Sequence, residues 1–140
     1  MIQDHCLNSS RDVSRGACVQ APVLLIDDRQ AFGRLFELFF AQTRYGAHPF
    51  CFSMTLDKAL SDIAALKPAV IFLDNYLPPY DDFRDPLRLL RQKTDAPIVL
   101  TTGSELSELG CDDLPDGLDA FLSKQALSAS AIENTLDAVL

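Results

Sequence analysis

Asp74 closes the apolar run Ala69-Val70-Ile71-Phe72-Leu73. A carboxylate at the exit of a buried strand needs a solvating partner or a chemical task. Three further apolar runs end on chemically capable groups: Val23-Leu24-Leu25-Ile26 on Asp27-Asp28, Pro97-Ile98-Val99-Leu100 on Thr101-Thr102, and Asp119-Ala120-Phe121-Leu122-Ser123 on Lys124. Three close carboxylates repel one another, so their pKa values rise or a cation binds. Hard oxygen ligands with room for water suit Mg²⁺, which keeps several waters and takes one or two carboxylates plus a phosphoryl oxygen. Lys124 brings a point charge able to pair with Asp74 or with an anion beside it. Thr101 offers a hydroxyl. Together these groups can support attack of a carboxylate, Asp74, on a phosphoryl group. Each has an ordinary alternative: Asp28 as a helix N-cap, Lys124 as a solvated loop lysine, Thr101 and Thr102 as β-branched strand residues. Four such groups at four strand ends favour one shared site.

For that to hold, the runs must be parallel strands, because open parallel sheets place their sites outside the carboxyl ends of the strands. The patterning agrees. Strands are expected at Val23 to Asp27, Phe50 to Met54, Ala69 to Asp74, Ile98 to Thr101 and Ala120 to Ser123. Between them, Phe32, Leu35, Phe36, Phe39 and Phe40 fall on one helix face, as do Leu56, Ala59, Leu60 and Ile63. Leu87 and Leu90 mark a third helix, with Pro86 in its first turn and Asp85 as N-cap. Ser128 can cap a last helix bearing Ile132, Leu136, Val139 and Leu140. Gly103, Gly110, Pro115 and Gly117 crowd the span where a fourth helix is due, so that helix is expected to be one or two turns from Ser104. Strand–helix alternation implies βαβ units with right-handed crossovers and helices on both faces.

Length and composition set the outer bounds. The chain has 140 residues, enough for one domain with its own core, and 48% of them are hydrophobic. Residues 1–20 are polar and non-periodic, and are expected to form a flexible tail ahead of a domain spanning 21–140. No apolar stretch approaches the roughly 20 residues that span a bilayer, and the start lacks the apolar segment of a secretory signal. A cytoplasmic protein without membrane contact is expected. The net charge of -8 argues against direct nucleic-acid binding. Cys6, Cys18, Cys51 and Cys111 lack metal-site spacing, so reduced thiols are expected, with Cys51 in the core.

Leu-Leu-Ile-Asp27-Asp28, Val-Ile-Phe-Leu-Asp74, Pro-Ile-Val-Leu-Thr101-Thr102-Gly and Asp-Ala-Phe-Leu-Ser-Lys124, in this order, resemble the signatures of the response-regulator receiver domains of two-component signalling. The resemblance covers residues 22–140. It implies a flavodoxin-like, doubly wound five-stranded parallel sheet of order 2-1-3-4-5. It also implies site roles: Asp74 as phospho-acceptor, Asp28 as direct Mg²⁺ ligand, Asp27 as a partner acting partly through water, and the Tyr76 carbonyl as a main-chain ligand. Lys124 matches the lysine that pairs with phosphoryl oxygens, Thr101 the hydroxyl that moves to bond the phosphoryl group, and Phe121 the aromatic that turns inward when it does. Three positions depart from the pattern. Gln125 replaces the proline, usually cis, that follows the lysine, so a trans bond is expected. The fourth helix is short. Thr102 stands where alanine is common, which predicts a crowded pocket.

The function implied is that of a stand-alone phosphorelay receiver, a non-enzymatic phosphoprotein. It would take its phosphoryl group from a histidine kinase or phosphotransfer protein and change its affinity for a further, unidentified protein target. A pseudo-receiver, an interaction module not switched by phosphate, is the alternative. A Mg²⁺-dependent aspartyl phosphatase fits less well, because Tyr76 stands where such enzymes carry a second acid.

Overall fold

The computed structural model describes residues 20–140, and the tail expected over 1–20 lies outside the described residues apart from Gln20. Five strands form one parallel sheet of order β2-β1-β3-β4-β5: β1 (Val23–Ile26), β2 (Phe50–Ser53), β3 (Val70–Asp74), β4 (Ile98–Thr102) and β5 (Ala120–Ser123). The helices are α1 (Gln30–Ala41), α2 (Leu56–Leu66), α3 (Arg84–Arg91) and α4 (Ala129–Val139). This is the doubly wound flavodoxin-like fold expected from the strand and helix patterns.

The three central strands are apolar on both faces because both faces are covered. Leu24, Ile26, Ile71, Leu73, Ile98 and Leu100 pack with Ile63 of α2 and Leu90 of α3. Val23, Leu25, Val70, Phe72, Val99 and Leu122 pack with Phe36 and Phe40 of α1 and Ile132 and Leu136 of α4. Parallel register sets Leu73 beside Leu100, and Asp74 beside Thr101. The apolar runs thus end together at one edge, which carries the site.

Local signals set the helix starts. Thr55 Oγ1 accepts from Lys58 N at 3.2 Å at the head of α2. Ser128 Oγ accepts from Ala131 N at 3.0 Å at the head of α4, the cap expected there. Asp85 is not the cap of α3. That helix begins at Arg84 with Phe83 as N-cap, and Asp85 pairs instead with Arg88 at 2.6 Å. Pro86 remains in the first turn, where backbone N–H groups have no helical partner to lose.

The fourth crossover contains no α-helix among the described residues. A 3-10 turn, Leu106–Leu109, is its only regular element, closed by Gly110 at φ 79°. Arginines of α3 hold this crossover. Arg84 Nη2 donates to Leu109 O at 3.1 Å. Arg91 Nη2 donates to Gly117 O at 2.6 Å and to Asp119 Oδ2 at 2.9 Å. Guanidinium-to-carbonyl bonds therefore support this segment together with Leu106 and Leu109, which pack on the core.

Among the described residues only Pro78–Pro79 is cis, so the bond after Lys124 is trans, as Gln125 predicts. Cys51 is buried, as expected, but disulfide-bonded, which corrects the expectation of reduced thiols for this residue. Cys111 is the free cysteine among the described residues.

Gly33 of α1 sits against the buried Phe52 ring. A Cβ there would lie 2.6 Å from the far end of that ring. Alanine gains up to about 1 kcal/mol of helix propensity, whereas overpacking costs about 1–3 kcal/mol. The ring is itself buried in the core, so Gly33→Ala should lower stability by about 1–2 kcal/mol. Urea unfolding checks this, and a stabilised variant would show that α1 can lift off β2.

Candidate functional site: an acidic cleft at the carboxyl edge of the sheet

β1 and β3 are adjacent, so their ends bring Asp27, Asp28 and Asp74 together. Each offers an oxygen, and these oxygens lie within 4.8 Å of one another. Asp27 is fully buried and Asp74 is 6% exposed; Asp28 is the most open of the three. Asp28 is not a helix cap: α1 has Arg29 at its N-cap, with no side-chain cap bond. Asp27 Oδ1 accepts from Arg29 N at 2.8 Å, which fixes this buried carboxylate.

Lys124 reaches the cluster from the end of β5. Its Nζ donates to Asp27 Oδ2 at 2.7 Å and lies 2.9 Å from Asp74 Oδ1. The ammonium also stands over the Phe32 ring, 4.4 Å from its centroid. Ser123 Oγ accepts from Gln125 N at 3.2 Å and Gln125 Nε2 donates to Gly103 O at 3.1 Å, so the lysine loop is tied to the loop after β4.

One ammonium does not balance three carboxylates. Burial pushes the Asp74 carboxyl up to about 6, Asp27 and Asp28 push the same way, and the Lys124 hydrogen bond opposes them. Buried, mutually repelling carboxylates offering three hard oxygen donors fit a divalent cation such as Mg²⁺.

Beside the cluster lies a cleft of about 370 Å³, lined by Asp28, Arg29, Asp74, Asn75, Tyr76, Thr102, Gly103, Ser104 and Lys124. Tyr76 sits at its mouth, 55% exposed. Asn75 Oδ1 accepts from Phe83 N at 3.2 Å, which fastens the loop between β3 and α3. Tyr80, from the same loop, packs against the core beneath α2 and α3 rather than over the cleft.

Thr101 does not line the cleft; Thr102 does. β4 runs one residue further than its apolar run suggests, to Thr102. With a side-chain period of two, one residue changes the face. Thr101 follows Val99 and points to the α1–α4 side, fully buried, its hydroxyl without a partner. Phe121 is half-buried and packs on the opposite side, with Leu100 beside it in register. Thr101 and Phe121 therefore lie on opposite faces of the sheet, whereas Thr102 and Phe121 share a face. The residue after the cleft-lining threonine is Gly103, with open space where a Cβ would be.

Phe32 and Arg29 escaped the sequence reading. Phe32 reads as one more apolar position of α1, and Arg29 as a charged loop residue.

No protein-family model matches the chain, and no curated protein matches it by sequence. Solved structures do match. The receiver domain of the Francisella response regulator 1452 is 21% identical, with TM-score 0.70 over 86% of this chain and 96% of that one. The signal receiver domain of a putative Luxo repressor protein from Vibrio parahaemolyticus is 21% identical, with TM-score 0.67 over 84% and 88%. The chemotaxis response regulator CheY4 of Vibrio cholerae is 16% identical, with TM-score 0.69 over 86% and 99%. The chain has the fold of response-regulator receiver domains.

Two stability predictions follow from these environments. Because the folded-state pKa of Asp74 is about 6, against about 3.9 for an ordinary aspartate, the folded protein holds this proton longer than the unfolded chain. Stability from this group is therefore greatest below about pH 4 and declines as pH rises through 6, by about 2–3 kcal/mol. Asp74→Asn should be more stable than the parent at neutral pH by a similar amount, with the difference vanishing near pH 4, in urea titrations across pH. The two threonines should respond with opposite signs. Thr101→Val removes an unpartnered buried hydroxyl and should stabilise by about 1 kcal/mol. Thr102→Val breaks the 3.1 Å bond from Ser104 N and should cost about 1 kcal/mol.

Proposed function

We propose that this chain is a phosphorelay receiver in which Asp74 accepts a phosphoryl group from a phosphohistidine on a histidine kinase or phosphotransfer protein. The observation that carries this reading is the convergence of Asp27, Asp28 and Asp74 within 4.8 Å under a shared lysine at the carboxyl edge of a receiver fold. Asp27, Asp28, Asp74 and the Tyr76 carbonyl would hold Mg²⁺, which when bound neutralises phosphoryl oxygens. The side chains do the rest. An Asp74 Oδ attacks phosphorus, the P–N bond to the donor imidazole breaks, and its electron pair stays with the imidazole. Lys124 keeps its bond to Asp27 and turns from Asp74 to a phosphoryl oxygen. Thr102, at the cleft wall, takes the hydroxyl role that the sequence pattern gives to Thr101. Its movement would free space on the Phe121 face, and that pair is the switch. The output is a change in affinity for a protein partner, with the protein acting as a signalling module rather than an enzyme in solution.

One observation favours a pseudo-receiver instead. The segment between β4 and β5 is pinned to α3 by Arg84 and Arg91, which limits how far a phosphate signal can displace it.

Beryllofluoride, a mimic of the phosphoryl group, separates the two readings. With Mg²⁺, it should change amide exchange across 102–126 while α1 and α2 stay nearly unchanged, and Asp28→Asn should abolish the response. Proven occupancy with flat exchange over 102–126 would establish the pseudo-receiver.

A further inference from the structure

We propose that Phe32 is a positioning residue that holds the Lys124 ammonium over the acidic cluster, an inference that rests on the phospho-acceptor reading for its functional consequence. An ammonium has three N–H bonds. Two are directed at Asp27 Oδ2 and Asp74 Oδ1, at 2.7 and 2.9 Å. The remaining side of the cation meets the face of Phe32, with the centroid at 4.4 Å. That distance is well inside the range over which a ring attracts a cation.

The arrangement answers a problem set by the local chain. Lysine carries its charge on a flexible four-carbon stem, and Lys124 opens a short 3-10 turn, Lys124–Ala126. The Lys124 side chain is 19% exposed, so water is close at hand. The ring closes one approach and leaves the cation facing the carboxylates.

The ring is itself fixed. Phe32 tilts on Phe36 at 6.1 Å, and Phe36 stands edge-on to Phe72 of β3 at 4.9 Å. Phe72 lies two residues before Asp74 on the same strand face. A continuous aromatic contact therefore runs from the core of β3 through α1 to the lysine. The ring face holds a cation without demanding one hydrogen-bond direction. It can keep the ammonium close while the cation turns from the Asp74 carboxylate to a phosphoryl oxygen.

The test compares the wild type with Phe32→Leu, which keeps apolar bulk, and Phe32→Tyr, which keeps the ring. The ε-methylene protons of Lys124 should be shifted upfield by the ring in the wild type and in Phe32→Tyr, and should return to the free-lysine position in Phe32→Leu. Beryllofluoride affinity should fall roughly 3- to 10-fold in Phe32→Leu, with Phe32→Tyr near the wild type and Mg²⁺ affinity measured alone unchanged in both. An unshifted lysine signal in the wild type overturns the inference. So does a Phe32→Leu protein that binds beryllofluoride normally, or one whose Mg²⁺ affinity falls in parallel. If the wild type does not bind beryllofluoride, the phospho-acceptor reading fails, and the lysine signals alone decide the placement of Phe32.

Discussion

A single ammonium shared between two buried carboxylates is the interaction on which the carboxyl edge of this sheet depends. Asp27 is fully buried and Asp74 nearly so, and isolated charges in such places are costly. Lys124 compensates both, from a strand two places away from β3. The pairing requires that β1, β3 and β5 end at the same level, which parallel register through β4 provides. One ammonium faces three carboxylates, and burial together with Asp27 and Asp28 outweighs it at Asp74, whose pKa is raised. An edge with a standing deficit of positive charge is one whose state a cation or a phosphoryl group can change.

Much of this was legible in the chain because strand ends and chemical groups coincide. Asp27, Asp28, Asp74 and Lys124 each follow an apolar run, and each lies in the cluster. The five strands lie where those runs predict, with ends differing by a residue. That residue matters at β4. Its strand is apolar on both faces, so no alternation of polar and apolar positions shows where it stops or which threonine faces the cleft. The unpartnered Thr101 hydroxyl and the cleft-lining Thr102 become distinguishable only in the folded sheet. Phe32 was hidden for a related reason. On a helix with four other apolar residues at the same spacing, nothing in the sequence marks the one that touches a charge.

The crossover before β5 was legible as a weak helix but not as a supported one. Its glycines and Pro115 disfavour helix, and a 3-10 turn results. What the pattern concealed is that Arg84 and Arg91 of α3 reach the carbonyls of that segment. On this side of the cleft the Gln125 side chain and the Gly103 carbonyl join the lysine loop to the loop after β4. That bond occupies the position where a proline would have removed it.

The central claim is that the cluster is a phospho-acceptor site with Asp74 as its nucleophile. The most direct measurement is intact mass after incubation with acetyl phosphate and Mg²⁺, on the wild type and on Asp74→Asn. The account predicts one added phosphoryl mass on the wild type, lost when Mg²⁺ is chelated before the donor is added, and none on Asp74→Asn. A phosphoryl mass that survives in Asp74→Asn, or an unlabelled wild type that is folded and binds Mg²⁺, would contradict it.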